Sequence, residues 1–284
     1  MPEHTLTGNI QRHDGFASRV FRNQRDVLVY LPPGYRRSPD RRYPVLYLQD
    51  GQNVFDAATS YAGVEWGVDE TAQSLIQRGL MEPLIIVAVA NTGMQRVHEY
   101  APTRGVIDGS AKRPKRSRGL LRKYGKFLIE ELKPFIDRTY RTRTDAGSTG
   151  LGGSSLGGLA TMALGLWFPD VFRRLAVLSP SIWWDEQAII RMVEELDEKL
   201  PLRIWLDSGT HEPGWERAAI LRDALIAKGW ELNNDLQYLE VEGGDHSEDA
   251  WAVRMDPVLR FLFPAVAANE AEPPPVAVTR LEVM

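Results

Sequence analysis

Short apolar segments alternate with longer amphipathic segments along most of this chain. Continuous or alternating apolar residues predict β-strands at residues 26–31, 45–48, 84–89, 148–151, 175–178, 203–206 and 236–241. Apolar residues at helical spacing predict helices at residues 68–78, 120–140, 156–167, 186–196, 216–228 and 247–261. Because strands that alternate with helices usually run parallel under two helical layers, the pattern predicts an α/β fold with a mostly parallel central sheet. The alternating strand at 26–31 is expected to be antiparallel and to form one edge.

Two polar segments interrupt this alternation. Residues 92–119 predict a long loop over the carboxyl edge of the sheet. Residues 264–284 are rich in Pro, Ala and Glu, which is typical of a flexible tail or a surface arm. We therefore expect one domain over residues 1–263, followed by a tail.

The composition is that of an ordinary globular protein. Hydrophobic residues make up 43% of the 284 residues, and the net charge of −4 gives no electrostatic reason to expect nucleic acid as a partner. The absence of cysteine excludes disulfides and thiolate chemistry. No signal peptide or membrane-length apolar run is visible, so we predict a cytoplasmic protein without a membrane anchor. The acidic residues form no metal-ligand pattern with histidines, so we predict no metal and no cofactor.

The most informative motif is Gly-Ser-Ser-Leu-Gly at residues 153–157. It follows a predicted strand and opens a predicted helix, as the nucleophile elbow of a serine hydrolase does. Glycines at 153 and 157 would let two backbone segments pass close together. The motif makes Ser155 the candidate nucleophile.

A serine nucleophile needs a base, and chain order narrows the five histidines. In this type of elbow the order is Ser, then Asp or Glu, then His. His4, His13 and His98 precede the elbow, and His211 lies where the acid is expected. His246 remains, in a glycine-containing loop between the last predicted strand and the last predicted helix, and is the candidate base.

Two carboxylates compete for the role of the acid that orients the base. Asp207 lies at the end of the strand at 203–206, whereas Glu212 lies beyond Gly209 on the following loop. Loops at strand carboxyl ends usually supply such residues, which favours Glu212 and leaves Asp207 as the alternative. Either carboxylate could instead anchor the loop.

A tetrahedral intermediate also needs two hydrogen-bond donors. One candidate is the amide of Leu156, directly after the nucleophile. The other is the amide of Gln52, in the loop after the strand at 45–48, where Gly51 allows close backbone approach and Asn53 would border the pocket. The alternative for this loop is a plain β–α turn.

Several segments together resemble one known family. They are Tyr-Leu-Pro-Pro-Gly-Tyr at 30–35, Tyr-Pro-Val-Leu-Tyr-Leu-Gln-Asp-Gly-Gln-Asn at 43–53, Glu-Leu-Lys-Pro-Phe-Ile at 131–136, the glycine-serine run at 152–158, Leu-Ser-Pro-Ser at 178–181, and Arg96 with Glu-Tyr-Ala-Pro at 99–102. The chain resembles the Putative esterase family, the enterochelin-esterase and esterase-D-like branch of the α/β-hydrolases. The resemblance extends over roughly residues 20 to 263.

The resemblance implies an α/β-hydrolase fold with about eight strands. It also implies Ser155 as nucleophile, His246 as base and Glu212 as acid. The chain departs from the family pattern at Gln49, where relatives usually have His before Asp-Gly-Gln. The family includes siderophore trilactone hydrolases, feruloyl and acetylxylan esterases, S-formylglutathione hydrolases and mycolyltransferases, so membership does not name a substrate.

Two features bear on the substrate. Trp183 and Trp184 follow a predicted strand and would either wall an aromatic pocket or belong to the core. A basic run either is a solvated surface or docks an anionic substrate. The run consists of Lys112, Arg113, Lys115, Arg116, Arg118, Arg122, Lys123 and Lys126.

The sequence thus predicts a serine carboxylic-ester hydrolase that forms an acyl-enzyme. Its expected partner is a small-molecule ester that carries an anionic or aromatic group. An acyltransferase on the same site and a non-catalytic binding protein are the alternatives. The sequence gives no oligomeric state.

Overall fold

A twisted sheet of eight strands forms the centre of the molecule in a computed structural model that describes residues 3–108 and 115–265. The strand order is β1-β2-β4-β3-β7-β8-β9-β10. The strands are β1 (Asn9–Ser18), β2 (Asn23–Leu31), β3 (Val45–Gln49), β4 (Ile85–Val89), β7 (Thr149–Ser154), β8 (Arg174–Leu178), β9 (Arg203–Gly209) and β10 (Leu236–Val241), and a separate antiparallel pair is formed by β5 (Val106–Asp108) and β6 (Lys115–Arg116). From β4 to β10 every pair of neighbours is parallel, whereas β1 and β2 run antiparallel.

Helices cover both faces of this sheet. They are α1 (Val68–Gln77), α2 (Arg96–Tyr100), α3 (Leu121–Phe127), α4 (Lys133–Thr139), α5 (Leu156–Trp167), α6 (Ala188–Glu194), α7 (Arg217–Ala227), α8 (Glu248–Ala252) and α9 (Met255–Leu262). A five-residue π-helix, Leu128–Leu132, joins α3 to α4.

The core is divided into two layers by the sheet. Side chains alternate along β3, so that Val45 and Tyr47 belong to one apolar cluster and Leu46 and Leu48 to the other. Residues of α3 to α7 fill the first cluster, and residues of α1 and α9 fill the second. Because both faces of the central strands are buried, these strands have continuous apolar sequences, which is the reason the sequence pattern revealed them.

The predicted α/β-hydrolase fold and its strands are confirmed, with three differences. The strand at 26–31 is not the edge, because β1 pairs with it outside. The alternation of β1 is broken by a bulge between His13 and Phe16, and most of its residues are partly exposed, so periodicity did not reveal it. The predicted loop at 92–119 contains α2 and the β5–β6 hairpin. The helix predicted at 247–261 is two helices, α8 and α9, separated at residues 253–254.

Two predictions fall partly outside the described residues. Residues 266–284 of the predicted tail and residues 109–114 of the basic segment are not described. Across residues 3–108 and 115–265, we find no helix with the length and apolar character needed to cross a membrane.

Candidate active site

The loops that follow the parallel strands carry the candidate residues to one edge of the sheet. Gln52 follows β3, Ser155 follows β7, Glu212 follows β9 and His246 follows β10. Since the carboxyl ends of parallel strands lie at the same edge, residues far apart in sequence meet there.

Ser155 lies at a sharp turn between β7 and α5. Its backbone has φ 57° and ψ −121°, a conformation that costs energy for a residue with a side chain. The turn brings backbone segments close together: a Cβ on Gly153 would lie 2.8 Å from the carbonyl carbon of Gly157, and one on Gly158 would lie 2.7 Å from the carbonyl oxygen of Leu178. Gly153 and Gly158 therefore permit the elbow, while a Cβ on Gly157 would first meet only side-chain atoms.

The Ser155 hydroxyl has a second serine beside it. Its Oγ lies 3.4 Å from Oγ of Ser181, and the Ser181 amide donates a hydrogen bond of 3.0 Å to the Ser155 carbonyl. In the described part of the chain this is the one side-chain hydrogen bond of Ser155. Ser155 and His246 nevertheless line the same two cavities, so the imidazole lies at the same site.

His246 is held from two sides. Its Nδ1 lies 3.0 Å from Oε2 of Glu212, and its ring meets the indole of Trp251 edge-on at 5.0 Å. The carboxylate thus orients Nδ1, which leaves Nε2 as the nitrogen available for proton transfer. The His246 side chain is 38% exposed, so the imidazole is accessible from solvent.

Glu212 is almost fully buried, and the carboxylate oxygen that does not contact His246 accepts three hydrogen bonds. Oε1 accepts hydrogen bonds from Ser179 Oγ at 2.6 Å, from the Gly209 amide at 2.7 Å and from Arg254 Nη2 at 3.3 Å. Burial alone would raise the pKa of Glu212, but the hydrogen bonds from His246, Ser179 and Gly209 outweigh it and hold the pKa below the usual value. The carboxyl is therefore ionised at neutral pH.

Asp207 lies next to this network without touching His246. Residues of β9 alternate, and Asp207 shares with Trp205 the sheet face covered by α9. Its oxygens accept hydrogen bonds from Trp205 Nε1 at 2.7 Å, Arg254 Nη1 at 2.9 Å and the Ser179 amide at 3.1 Å. Complete burial raises the pKa of Asp207, and these partners offset it only in part. Of the two rival carboxylates, Glu212 contacts the histidine.

Two buried residues of this network, Ser179 and Arg254, had no role predicted from the sequence. The guanidinium of Arg254 is buried, and it contacts both Asp207 and Glu212. Trp251 Nε1 donates to Ser179 Oγ at 3.0 Å, which fixes the indole that supports His246. The sequence carried no signal for the burial of Arg254, because a single arginine in an amphipathic segment usually lies on the solvent-exposed face.

The two candidate oxyanion donors have free amides. Within the described residues, neither the Leu156 amide nor the Gln52 amide donates a hydrogen bond. Asp50, with φ 55°, turns the Gln52 loop, and Arg96 clamps it with two bonds of 2.7 Å to the Asp50 carboxylate. A Cβ on Gly51 would lie 2.5 Å from the Ala88 carbonyl carbon, so this glycine lets the loop pack on β4.

Two cavities meet at Ser155 and His246. The first, of about 390 Å³, is called the aromatic cavity and is walled by Ile182, Trp183 and Trp215. The second, of about 460 Å³, is called the polar cavity and is lined by Gln52, Asn53, Tyr61, Asn91 and Glu248.

Not every predicted pocket residue reaches these cavities. Trp183 is 50% exposed and lines the aromatic cavity, and Asn53 lines the polar cavity. Trp184 does not line either one, because its indole is buried in the core and donates to Thr103 Oγ1 at 3.1 Å. Gly51 also lies behind the surface. Gln49, the departure from the family pattern, is buried beneath the elbow, with its Oε1 3.5 Å from Thr161 Oγ1.

The basic run does not reach the cavities in its described part. Arg122 covers the Trp167 ring at 4.0 Å, Lys123 lies 4.8 Å from the Phe21 ring centre, and Lys126 pairs with Glu130 at 3.6 Å. These side chains are engaged with their own surface. Lys112 and Arg113 lie outside the described residues.

Known proteins are similar to this chain over most of its length. The family model described as Putative esterase matches residues 18–262. The endo-1,4-beta-xylanase/feruloyl esterase of Xylanibacter ruminicola is 29% identical over 271 residues, which are 90% of this chain and 31% of that protein, so this chain spans about a third of its length. The ferri-bacillibactin esterase BesA of Bacillus subtilis is 27% identical over 190 residues, 61% of this chain and 62% of that protein.

Solved structures show the same fold. A ferulic acid esterase superposes with a TM-score of 0.70 at 20% identity, covering 90% of this chain and 98% of that one. The enterobactin esterase FES from Shigella flexneri, in the presence of enterobactin, superposes with a TM-score of 0.70 at 20% identity, covering 91% of this chain and 59% of that one. The family model over residues 18–262 shows that the chain belongs to the Putative esterase family of carboxylic ester hydrolases, and the solved structures show that it has an α/β-hydrolase fold.

Proposed function

We propose that this protein hydrolyses a carboxylic ester through Ser155, His246 and Glu212 and an acyl-enzyme intermediate. The observation that carries the proposal is the 3.0 Å contact between His246 Nδ1 and Glu212 Oε2, beside a serine held at a strained elbow. An ionised carboxylate that binds Nδ1 fixes the imidazole tautomer with its lone pair on Nε2, and this nitrogen then accepts the proton of the attacking hydroxyl.

The reaction begins with a rotation of the Ser155 side chain from Ser181 towards His246. As Oγ attacks the ester carbonyl, Nε2 of His246 takes its proton, and the amides of Leu156 and Gln52 bind the oxyanion. The protonated imidazole gives its proton to the departing alcohol. Water activated by the neutral imidazole then hydrolyses the acyl-Ser155 ester, which releases the acid and restores the hydroxyl.

The two cavities suit the two halves of a small-molecule ester. Trp183 and Trp215 offer an aromatic wall on one side of Ser155, and amide and carboxylate side chains line the other. Relatives are named for feruloyl and ferri-bacillibactin esters, and a feruloyl group is aromatic. We infer an ester with an aromatic portion as the substrate class.

The triad proposal is tested with 4-nitrophenyl acetate and a fluorophosphonate probe. Ser155→Ala is expected to abolish turnover and labelling while circular dichroism and the unfolding midpoint stay close to wild type. Ser154→Ala is the matched control, because its hydroxyl is the neighbour in the same turn, and it should keep activity. Wild-type turnover by Ser155→Ala, or failure of the probe to label the wild-type protein at Ser155, would contradict the proposal.

A further inference from the structure

Arg217 contributes a positive charge to the aromatic cavity. It is the first residue of α7 and lines the cavity together with Trp183 and Trp215. Across residues 3–108 and 115–265, no carboxylate lies within 4.0 Å of its guanidinium, and its side chain makes no hydrogen bond. Glu212, the acid of the same cavity, already binds His246 and Arg254.

A turn before α7 leaves room for the Arg217 guanidinium. The Arg217 amide donates a hydrogen bond of 3.1 Å to the carbonyl of Gly214, which closes a tight turn before α7. Gly214 has φ 72°, and a Cβ there would overlap Nη1 of Arg217. The positive φ favours glycine at 214, and a side chain there would require the Arg217 guanidinium to take another position.

The polar cavity carries the opposite residual charge. Its arginine, Arg96, is matched by two bonds to Asp50. Its other carboxylate, Glu248, accepts a hydrogen bond of 3.1 Å from Asn53 Nδ2, and no cation lies within 4.0 Å of it in the described part of the chain. Within the described residues, the aromatic cavity thus contains a cation without an ion-pair partner. In the polar cavity the two carboxylates, Asp50 and Glu248, share one arginine, Arg96, whose pKa both of them raise.

From this arrangement we propose that Arg217 is a specificity residue that selects esters whose apolar or aromatic portion ends in an anionic group, such as a carboxylate. The aromatic cavity binds the ring between Trp183 and Trp215, and Arg217 binds the anion. Glu248 disfavours the reverse orientation, because it would repel the same anion in the polar cavity. The inference rests on the proposed function, since it concerns the same site.

The test compares matched neutral and charged esters. One arm uses 4-nitrophenyl 3-phenylpropanoate with and without a para-carboxylate, which places the anion on the acyl side. The other arm uses benzyl acetate with and without a para-carboxylate, which places it on the alcohol side. In one of the arms, wild-type kcat/KM should favour the charged ester by about three- to tenfold, as a partly solvated ion pair allows.

Variants assign this preference to one residue. Arg217→Gln should bring the ratio to about one, Arg217→Glu should invert it, and ~1 M NaCl should reduce it in wild type. Arg222→Gln is the matched control, because Arg222 lies on the same helix but pairs with Asp223 outside the cavity. Arg222→Gln should leave hydrolysis of both the neutral and the charged esters close to wild type. Labelling of Ser155 by the fluorophosphonate probe in the two Arg217 variants separates a failure of specificity from a failure of the triad.

A binding measurement makes the inference independent of turnover. The amide 3-phenylpropanamide, with and without a para-carboxylate, is titrated into Ser155→Ala with and without Arg217→Gln, and the dissociation constants are compared. Tighter binding of the charged amide that disappears with Arg217→Gln supports the inference. Equal kcat/KM for the charged and the neutral ester in both arms overturns the inference. A preference for the charged ester that persists in Arg217→Gln also overturns it.

Discussion

Ser179 donates a hydrogen bond of 2.6 Å from Oγ to Oε1 of Glu212. The same hydroxyl oxygen accepts hydrogen bonds from Trp251 Nε1 at 3.0 Å and from Arg254 Nη1 at 2.8 Å. Ser179 has φ 40°, a strained conformation for a serine, so its surroundings hold it in place. One hydroxyl therefore connects the carboxylate that binds His246 to the indole that supports the same imidazole.

Ser179→Ala should therefore reduce both stability and turnover. Its loss leaves a buried carboxylate and a buried guanidinium each without one partner, which costs about 1.5–3 kcal/mol of unfolding free energy. Denaturant unfolding and kcat on 4-nitrophenyl acetate measure the two effects. Ser208→Ala is the control, because Ser208 is equally buried in the same cavity and, within the described residues, makes no side-chain hydrogen bond. Equal losses in the two variants would contradict a special role for Ser179.

The two rival carboxylates should differ in what they support. Glu212→Gln is expected to lower kcat by roughly 10²–10⁴-fold, because the amide no longer favours the required imidazole tautomer. Asp207→Asn should instead lower the unfolding free energy by about 3–5 kcal/mol, because it leaves the buried charge of Arg254 poorly matched. The kcat of each variant is measured at a temperature below the unfolding midpoint of the less stable variant. A larger kcat loss in Asp207→Asn would assign the acid to Asp207.

The elbow glycines should respond differently to a methyl group. In Gly158→Ala the added Cβ would lie 2.7 Å from the Leu178 carbonyl oxygen and 3.1 Å from Pro180 Cα, and backbone atoms cannot yield without a shift of the turn. Overpacking of this kind costs about 1–3 kcal/mol. In Gly157→Ala the nearest atoms are side-chain oxygens of Gln49 and Asp50, at 3.0 and 3.4 Å, so the cost should be smaller.

Thermal unfolding of both alanine variants, with turnover measured on the folded fraction, tests this difference. Gly158→Ala should have the lower unfolding midpoint and the larger activity loss. A lower unfolding midpoint or a larger activity loss in Gly157→Ala would contradict this prediction. It would show that the approach of Gly158 to Leu178 and Pro180 is not the tightest constraint on the elbow.

Asp69 should make stability depend on pH. Its carboxyl is buried, with Oδ2 accepting from the Thr7 amide at 2.7 Å, and it lies within 4.8 Å of the Glu65 and Glu70 carboxylates. Burial, and then the neighbouring Glu70, raise the pKa of Asp69 from 3.8 to about 8. The folded state thus binds a proton that the unfolded state releases between these values, and unfolding free energy falls as pH rises through this range.

Asp69→Asn removes this dependence while keeping an acceptor for Thr7. Relative to wild type, the variant should gain unfolding free energy between about pH 5 and about pH 8.5, as urea unfolding at the two pH values would show. Asp170→Asn, at an exposed aspartate, serves as the control and should show no such gain. A wild-type-like pH profile for Asp69→Asn would contradict the shift.

Local patterns determined much of the fold and the elbow. The central strands β3, β4, β7, β8 and β9 are buried on both faces, and most of them therefore have continuous apolar sequences, so the α/β alternation could be read directly. The turn at Ser155 depends on neighbours in sequence, because glycines beside the serine permit the close approach. The order of Ser155, the carboxylate and His246 followed from chain connectivity alone, and their catalytic roles stay predictions.

Only the tertiary structure decided which side chains meet. Asp207 and Glu212 are close in sequence, but strand alternation turns Asp207 towards Arg254, whereas Glu212 lies on the loop that reaches His246. Trp183 and Trp184 are adjacent, yet one lines a cavity and the other is in the core, because successive residues at a turn point in different directions. Such contacts join segments far apart along the chain, and a periodic pattern records how much of a residue is buried but not which partner buries it.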